Sequence, residues 1–353
     1  MRHIGISFGD ISHFHDGPGE FSLLFGQTLA QRAPALAESG IQLHYHLPER
    51  WHGLFGPDVS YLQTAYGQRV LHLRGVRFDI WHKLNQHIKH RAPAFTRHRL
   101  VTLHDLNLFY FKSGGSQRRA LRRQLRILRQ ATHIVTISDY VQQDYLSRLD
   151  LGIPSTRIYN GVRDLTAHPQ TAVAGLEGKR YFLHISRMTA SKNPEALLSL
   201  AAIWRDRLFV LAGPRSGHTE GVEQRARSMG LDNVRLLYDV STEEKAWLYQ
   251  HCDAFLFPSL TEGFGLPPIE AMQFGKPVFL ARRTCLPEIA GPHAHYWDDF
   301  EPNRMKQVLM DGLEQHRLRH LAPQVQQWSR RYDWGDCIDH YVQAYLGLSR
   351  HGG

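Results

Sequence analysis

The sequence predicts an α/β protein with two doubly wound parallel sheets that face a cleft. Short apolar runs of strand length alternate with helical segments in two consecutive series, and a stretch of weak periodicity separates the series. A length of 353 residues suits two domains, and 42% hydrophobic with 21% charged residues is typical of an ordinary globular protein. The N-terminus has no apolar secretory core, and no apolar run approaches the roughly 20 residues of a membrane helix.

The first series contains five predicted strands and three predicted helices. The strands are "HIGISF", "QLHYHL", "RFDIWH", "LVTLHD" and "HIVTIS", and the helices are "FSLLFGQTLA", "SQRRALRRQLRILRQ" and "DYVQQDYLSRL". The short strand runs separated by longer helical runs indicate βαβ units. We therefore expect a first domain over residues 1–162.

A linker and the second series follow. Residues 163–179, "RDLTAHPQTAVAGLEGK", have weak periodicity with scattered Gly and Pro, which is typical of a linker. Strands at "YFLHIS", "LFVLAG", "VRLLY", "AFLFPS" and "PVFLA" then alternate with helices at "NPEALLSLAAIW", residues 219–229, "EEKAWLYQH" and "PPIEAMQF". This predicts a second domain over residues 180–330. Ligands of such sheets bind at the carboxyl ends of the strands, which predicts a site in the cleft between the domains.

An anion-binding helix start is predicted within "TEGFGLPPIE", residues 261–270. The paired prolines suit the first turn of a helix, where backbone N–H groups have no partner inside the helix. Gly263 and Gly265 then lie in a loop at the helix N-terminus, whose N–H groups attract an anion. Glu262 and Glu270 are the only charges of the stretch. We expect a ligand that carries both an anion and hydroxyl groups.

Two cations are predicted at a strand end of the second domain. Arg187 follows "FLHIS", and Lys192 follows five residues later, just before a helix that begins near Asn193. A forked guanidinium and an ammonium at such a junction can together hold a diphosphate. Parallel strands can bring this pair and the glycine loop after "FLFPS" to the same sheet edge, so we expect one shared site.

Several common ligand signatures are absent from the sequence. It contains no G-x-G-x-x-G, no G-x-x-x-x-G-K-[ST], no H-E-x-x-H and no D-x-D. Histidine pairs at positions 13/15, 44/46 and 293/295 have no third ligand beside them, so we predict no metal site. Three widely spaced cysteines, Cys252, Cys285 and Cys337, fit a reducing cytoplasm.

The block "PSLTEGFGLPPIEAMQFGKPV" resembles the E-x7-E signature of the family-4 retaining glycosyltransferases, which have the GT-B fold. The resemblance covers nearly the whole chain. "GPGEF" at residues 17–21 is similar to the family's N-terminal glycine loop, and "VTLHDL", "IVTISDYVQQDY" and "IYNGV" are similar to its other first-domain blocks. "SRMTASKNPEALL" resembles its phosphate block. "RYDWGDCIDHYVQAY" resembles its closing helix, expected here over residues 331–353, which in this fold crosses back to the first domain.

The resemblance implies a donor site in the second domain. Arg187 and Lys192 would neutralise the diphosphate of a nucleotide-diphosphate sugar, either GDP- or UDP-linked. Backbone groups of the glycine turn would help them, and the turn consists of Gly263, Phe264, Gly265 and Leu266. Glu270 would bind the ribose of the nucleotide, and Glu262 the hydroxyl groups of the transferred sugar. No cofactor and no metal ion are implied.

The resemblance also implies a contribution from the first domain. His104 would face the sugar across the cleft and act with Glu262 as a catalytic residue. Gly17 and Gly19 would allow the backbone to approach the donor and the acceptor closely. A retaining hexosyltransferase of this kind would move a hexose, with mannose mildly preferred, to a glycan or lipid-linked acceptor in polysaccharide or lipopolysaccharide synthesis.

Two positions depart from the family's pattern. The residue before the phosphate arginine is usually Gly and is Ser186 here, which affects how closely the backbone can approach the donor. A G-x-V block reads "YDV", with Tyr238 in place of Gly, which alters the expected base pocket. The nucleotide base therefore stays open between guanine and uracil.

A basic helix suggests where the acceptor is found. Between Asp105 and Asp139 the chain has seven cations and no acidic residue. Five of these cations form the predicted acceptor or membrane contact, namely Arg118, Arg119, Arg122, Arg123 and Arg126. Ordinary surface helices mix both signs of charge. We therefore expect a cytoplasmic protein that contacts the anionic inner face of the membrane peripherally.

Two alternatives stay open. A nucleotide-sugar 2-epimerase on the same fold would consume the donor without an acceptor. The net charge of +9 and the arginine-rich helix also fit a nucleic-acid-binding protein, which would bind DNA or RNA in a salt-dependent manner. The transferase interpretation, which includes no nucleic-acid partner, accounts for more of the motifs.

Overall fold

A computed structural model describes residues 1–14 and 17–350, with the side chains of residues 349 and 350 excluded. The chain divides into two compact units. The first comprises Met1–Gly161 with Tyr332–Gly353, and the second comprises Val162–Arg331. Each unit contains one parallel β-sheet, as the alternation of apolar runs predicted.

The first unit is built on a seven-stranded sheet in the order β3-β2-β1-β4-β5-β6-β7. Its strands are β1 (Arg2–Ser7), β2 (Ile41–Leu47), β3 (Ser60–Gln63), β4 (Ile80–Lys83), β5 (His98–Leu103), β6 (His133–Thr136) and β7 (Ser155–Arg157). The sequence did not predict β3 and β7. They are edge strands of four and three residues and lack a buried apolar run.

Helices cover the first sheet on both faces. They are α1 (Gly17–Gln31), α2 (Ala33–Glu38), α3 (Leu108–Phe111), α4 (Gly114–Leu128) and α5 (Asp139–Arg148). On one face, Phe25 of α1 packs edge-on against His82 of β4, with ring centroids 5.7 Å apart. On the other face, the Trp81 ring of β4 lies against His46 and His72 at 5.2 Å each. Consecutive residues of β4 thus point to opposite faces, as a sheet covered on both sides requires.

The second unit is built on a six-stranded sheet in the order β10-β9-β8-β11-β12-β13. Its strands are β8 (Tyr181–Ile185), β9 (Leu208–Gly213), β10 (Val234–Tyr238), β11 (Ala254–Phe257), β12 (Val278–Ala281) and β13 (His295–Trp297). Its helices are α6 (Pro194–Ile203), α7 (Gly217–Ser228), α8 (Thr242–His251), α9 (Leu266–Gln273), α10 (Leu286–Ala290), α11 (Pro302–Leu318) and α12 (Ala322–Ser329). The sequence pattern did not predict β13, α10, α11 or α12.

Residues 163–179 form no helix or strand and belong to the second unit. Leu165, Val173 and Leu176 are buried. The Leu165 N–H donates to the Gln273 side chain at 3.2 Å, and the Thr171 N–H donates to a carbonyl of α8 at 3.2 Å. This stretch therefore packs on the second unit along much of its length.

The last helix, α13 (Trp334–Arg350), joins the first unit. The Tyr345 hydroxyl lies 2.7 Å from Nδ1 of His82, and the Tyr341 ring packs edge-on against Phe25 at 4.9 Å. Arg32 pairs with Asp339 at 2.9 Å on the surface. The predicted return of the closing helix to the first domain is confirmed. None of the helices described combines the length and the apolar character needed to cross a bilayer.

Candidate active site

The predicted donor residues of the second unit come from two neighbouring strands. Strands β8 and β11 pair in parallel, and the strand order reverses between them. This is the position where open α/β sheets bind their ligands, at the carboxyl ends of the strands. Lys192 lies in the connection that follows β8, and Glu262 in the connection that follows β11. The Lys192 ammonium donates to Oε1 of Glu262, which also accepts a 2.7 Å hydrogen bond from the Ser259 hydroxyl.

The glycine turn is fixed by its neighbours. Gly265 has a φ of 94°, and a Cβ at this position would meet the Leu286 side chain at 2.9 Å, so only glycine fits without strain. The Cys285 thiol donates to the carbonyls of Glu262 and Phe264 at 3.3 and 3.2 Å. Burial raises the pKa of this thiol well above its usual value, which keeps it a donor. The turn is therefore held in one shape before any ligand arrives.

The helix that follows the turn presents few backbone donors. Helix α9 begins at Leu266, and its next two residues are the predicted prolines. Because proline has no N–H, an anion at this helix end can meet only the amides of Leu266 and of the preceding turn. The predicted helix start is therefore correct, and the backbone N–H groups that can bind an anion there are those of Leu266 and the preceding turn.

The departure at Ser186 has a structural role. The His184 Nδ1 donates to the Leu256 carbonyl at 2.8 Å, so Nε2 accepts the 2.7 Å hydrogen bond from the Ser186 hydroxyl. Burial lowers the pKa of His184 to about 4, consistent with this neutral ring. The same hydroxyl accepts from the Met188 N–H at 3.0 Å, at a residue with φ of 53°. Ser186 thus shapes the backbone on either side of Arg187, whose side chain is exposed and forms no ion pair with the described residues.

The carboxylate of Glu270 lies within a buried network that the sequence analysis missed. Glu270 is 2% exposed, with Oε1 bonded to the Lys245 ammonium and Oε2 to the Tyr249 hydroxyl, both at 2.7 Å. Lys245 and Tyr249 lie one helical turn apart on α8, a spacing that brings both side chains to one face. Any ribose contact of Glu270 would have to use a remaining lone pair or displace one of these donors.

We expect Lys245→Met to destabilise the second unit by roughly 2–4 kcal/mol, because it leaves a buried carboxylate without its cation. Urea unfolding measures this. Adding Glu270→Gln to the variant should recover much of the loss, since the neutral amide needs no counter-charge. An equally stable Lys245→Met protein would contradict the prediction, and Lys179→Met, at an exposed position of the second unit, is the matched control.

The first unit has a cavity at its own point of strand reversal, which the sequence did not predict. Strands β1 and β4 pair there, and a space of about 340 Å³ opens beyond their carboxyl ends. Its walls include the paired side chains of Asp10 and Arg69, together with Asn85, Lys89 and Gly19. The space suits a ligand with hydroxyl groups and an anion.

The positions of Gly17 and Gly19 differ from the expected glycine loop. Both lie in the first turn of α1, which begins at Gly17 and not at Phe21 as predicted. The expectation was wrong because the propensity of "GPG" for a loop is overridden by helix packing, with Phe21 and Phe25 buried below it. Gly19 is buried and lines the cavity, whereas Gly17 is exposed.

His104 lies at the end of β5 as a neutral ring. Its Nε2 must donate, because the 2.8 Å partner is the carbonyl of Leu84. Burial lowers the pKa of His104, which leaves Nδ1 unprotonated and able to accept a hydrogen bond from a hydroxyl group. The Phe21 ring packs edge-on at 4.7 Å and the Gln86 side chain accepts from the backbone N–H at 3.1 Å. These contacts fix the ring orientation.

The predicted basic helix is α4, and its arginines face outward. Arg118, Arg119, Arg122, Arg123 and Arg126 are all exposed. The buried side of the helix consists of Gln124, Ile127 and Leu128, while Leu121 and Leu125 are only half-buried. The separation of an apolar and a basic face is therefore as expected, with the apolar face concentrated in the last turn.

Two further positions bear on the predictions. The Tyr238 hydroxyl donates to Glu223 at 2.6 Å and its ring lies 4.2 Å below the Arg215 guanidinium, so the residue that replaces Gly is engaged within the second unit. Within the part of the chain that the structure describes, no three His, Cys, Asp or Glu side chains gather as a metal site would require. His15 of the predicted pairs lies outside the described residues.

Comparison with known proteins finds one matching family. The profile of the family described as Glycosyl transferases group 1 matches residues 170–320, which include the predicted donor site. The O-antigen chain mannosyltransferase RfbU of Salmonella typhimurium is 26% identical over 74% of this chain and 72% of its own length. The second unit of this chain therefore resembles the group 1 glycosyl transferases.

Other relatives and solved structures agree with this resemblance. The O-antigen chain mannosyltransferase B of Escherichia coli is 24% identical over 77% of this chain and 75% of its own length. Among solved structures, sucrose-phosphate synthase from Thermosynechococcus elongatus superposes with a TM-score of 0.73 at 17% identity and covers both chains completely. Anabaena Alr3699/HepE, solved with UDP and glucose, has a TM-score of 0.71 at 16% identity over 98% of this chain and all of its own. The structural similarities establish a GT-B-like fold for this chain.

Proposed function

We propose that this glycosyl transferase moves a mannosyl residue from a nucleotide-diphosphate mannose to a lipid-linked or polysaccharide acceptor of the O-antigen type. The observation that carries the proposal is the meeting of Lys192 and Glu262 at the strand reversal of the second unit, beside the start of α9. A cation, a helix start and a carboxylate at one point suit a ligand that has both a diphosphate and sugar hydroxyl groups. The names of the mannosyltransferase relatives supply the sugar and the acceptor class.

The proposed reaction retains the configuration of the anomeric carbon. The acceptor hydroxyl attacks the face from which the diphosphate leaves, the bond between the anomeric carbon and the phosphate oxygen breaks, and that oxygen takes the proton. Charge grows on the leaving phosphate, where Arg187, Lys192 and the amides of the turn would stabilise it. Glu262 would hold the sugar hydroxyls, and the neutral His104 would accept a hydrogen bond from the sugar.

The proposed site of action is the inner face of the cytoplasmic membrane. The exposed arginines of α4 form a surface that attracts anionic headgroups or a lipid-linked diphosphate, at about 1 kcal/mol per cation near the surface. Three cysteines are free and buried in the described structure, which suits a reducing compartment. The acceptor would then be presented at the same surface to which the enzyme is attracted.

A donor panel followed by a transfer assay tests the proposal. Ligand binding to the folded state raises its stability by about 2.7 kcal/mol at a hundredfold excess over Kd, so thermal shifts with GDP, UDP and their sugars identify the base. The preferred mannose donor should then label a lipid-linked oligosaccharide with the anomeric configuration retained. Conversion of the donor without an acceptor would replace the proposal by an epimerase, and labelling by a non-mannose donor alone would overturn the choice of sugar.

We expect transfer to proceed without a divalent ion, because Lys192 and Arg187 supply the positive charge that a metal supplies to D-x-D enzymes. Excess EDTA should leave the initial rate within about twofold, measured on enzyme first dialysed against the chelator. A rate that collapses with EDTA and returns only with magnesium or manganese would contradict metal independence.

A further inference from the structure

Six large hydrophobic side chains are exposed close together on the first unit. Five lie in the connection between β3 and β4 and one lies just before β5; they are Tyr66, Val70, Leu71, Leu73, Val76 and Phe95, and we call them the apolar patch. Their exposures range from 40% for Val76 to 84% for Phe95. Fourteen large hydrophobic side chains are exposed in the described part of the chain, and six of them fall in this patch. Such clustering marks an interaction surface, because single exposed hydrophobics are normally scattered.

The two segments of the apolar patch are bonded into one surface. The Ala94 N–H donates to the carbonyl of His72 at 2.8 Å, and the His72 ring, buried between two exposed leucines, lies 2.9 Å from the carbonyl of Arg91. Val76 and Phe95 line the same groove of about 520 Å³. Because backbone hydrogen bonds hold the segments, the patch keeps its shape without a partner.

The rim of the apolar patch is basic. Arg74, Arg77, Arg91 and Arg97 are exposed, and none of them forms an ion pair with the residues the structure describes. The one acidic residue between positions 59 and 104 is Asp79, which is half-buried and accepts the His3 N–H at 2.8 Å. Arg69 is already paired with Asp10 and does not belong to this rim. The charge of the rim complements an anionic surface.

The segment that carries Phe95 lies beside the last turn of the basic helix α4. Ala92, beside the patch, and Ile127 of α4 line one small enclosed space above Trp81 of the sheet. The Arg99 guanidinium donates to the carbonyl of Gln130, just beyond the end of α4, at 2.7 Å. The patch and the arginines of α4 therefore cover the same face of the first sheet.

We propose that the apolar patch inserts into the headgroup region of an anionic membrane, with the rim arginines bonded to lipid phosphates. This deepens the membrane contact of the proposed function by naming the element that enters the lipid. The patch has apolar side chains surrounded by arginines and has no carboxylates, which suits the boundary between the acyl chains and the phosphates of a bilayer. At this boundary the arginine stems lie along the apolar surface and the guanidinium groups bind the phosphates. A protein interface would need a partner with a matching excess of carboxylates, and the patch itself supplies none for a second copy of the chain.

An environment-sensitive label tests insertion directly. The native cysteines are buried, so NBD attached to Phe95→Cys would report from one position. Vesicles containing phosphatidylglycerol should shift its emission to the blue and raise it several-fold, whereas phosphatidylcholine vesicles should not. The control is Leu318→Cys on α11 of the second unit, where the native side chain is 59% exposed. Equal responses at both positions, or none at Phe95→Cys, would overturn the proposal.

A set of variants separates insertion from charge attraction and from catalysis. The patch variant combines three substitutions, namely Leu71→Ser, Leu73→Ser and Phe95→Ser. It should bind vesicles at least about tenfold more weakly than the wild type, equivalent to about 1.4 kcal/mol. The residual binding should become fully salt-sensitive, because only the arginines remain. Unfolding temperature and transfer to a water-soluble acceptor should not change. The matched control combines Leu146→Ser, Met310→Ser and Leu318→Ser, three exposed positions outside the patch.

The outcomes for the patch and for the enzyme are distinguishable. If the patch variant binds vesicles as tightly as the wild type, the insertion proposal is wrong, whatever the transferase activity. Dissociation of a wild-type dimer by the same variant, seen by analytical ultracentrifugation, would assign the patch to a protein interface instead. Normal insertion by a protein that transfers no sugar would refute the proposed function and leave the insertion proposal standing.

Discussion

Replacement of Glu262 by Gln should lower turnover by roughly 10²-fold or more, as expected when one contact of the transition state is lost. Glutamine keeps the shape of the side chain and can still accept from Ser259, but it removes the negative charge beside Lys192. Binding of the nucleotide diphosphate should stay near normal, because the released ammonium still faces the phosphates. The measurement is kcat with the preferred donor, together with Kd for the free nucleotide diphosphate.

The control for this variant is Glu314→Gln, an exposed position on α11. It should match the wild type in kcat and in unfolding temperature. Since Glu262 is only 12% exposed, Glu262→Gln is also checked for folding by its thermal transition. A folded Glu262→Gln enzyme with full activity would refute the role assigned to this carboxylate.

Mild acid should destabilise the first unit strongly. Burial lowers the pKa of His44 to about 4, and that of His46 and His82 to about 3, from an ordinary value of 6.5. Below about pH 6.5 these histidines bind protons in the unfolded chain, whereas they stay neutral in the folded protein. The free energy of unfolding therefore falls as the pH falls toward the folded pKa values. Each histidine contributes about 1.4 kcal/mol per pH unit in this window, and the three together roughly 4 kcal/mol per pH unit.

Urea unfolding between about pH 7 and pH 5 measures this dependence. His82→Gln should reduce the slope by close to one proton, because its ring is the one held between Tyr345 and Thr102 at 2.7 and 2.8 Å. His340→Gln, on α13, is a control that should leave the slope unchanged. A free energy of unfolding that stays constant across this pH range would contradict the buried neutral state of these rings.

The sequence predicted the parts of the structure in which local pattern and tertiary environment agree. Buried strands such as β8 and β11 are continuous apolar runs, and the "PP" after a glycine turn predicts where α9 begins. The rule that parallel strands bring their carboxyl ends to one edge predicted that Lys192 and Glu262 share one site, whereas the ion pair between them was not predicted. Edge strands β3 and β7 have no such run, so pairing with a neighbour alone defines them.

The parts that the sequence analysis missed depend on contacts between distant residues. Nothing local in "EEKAWLYQH" shows that Lys245 and Tyr249 would hold Glu270, 25 and 21 residues further along the chain. The apolar patch was not predicted because a run such as "VLHLRGV" has the same composition as a buried strand, and only the folded chain shows that its side chains are exposed. The local sequence pattern indicates which secondary structure a residue favours, whereas its contacts with distant residues depend on the folded chain.

The return of α13 to the first unit has a consequence for how the protein is made. The core of that unit includes Trp334, Tyr341 and Tyr345, which are synthesised after the whole second unit. Domains generally fold in the order of their synthesis, N-terminal first. Here the second unit is encoded without interruption and can complete its core earlier, while the core of the N-terminal sheet stays incomplete until α13 has been synthesised. A nascent chain stalled shortly before Trp334 should therefore present a protease-resistant second unit and a protease-sensitive first one.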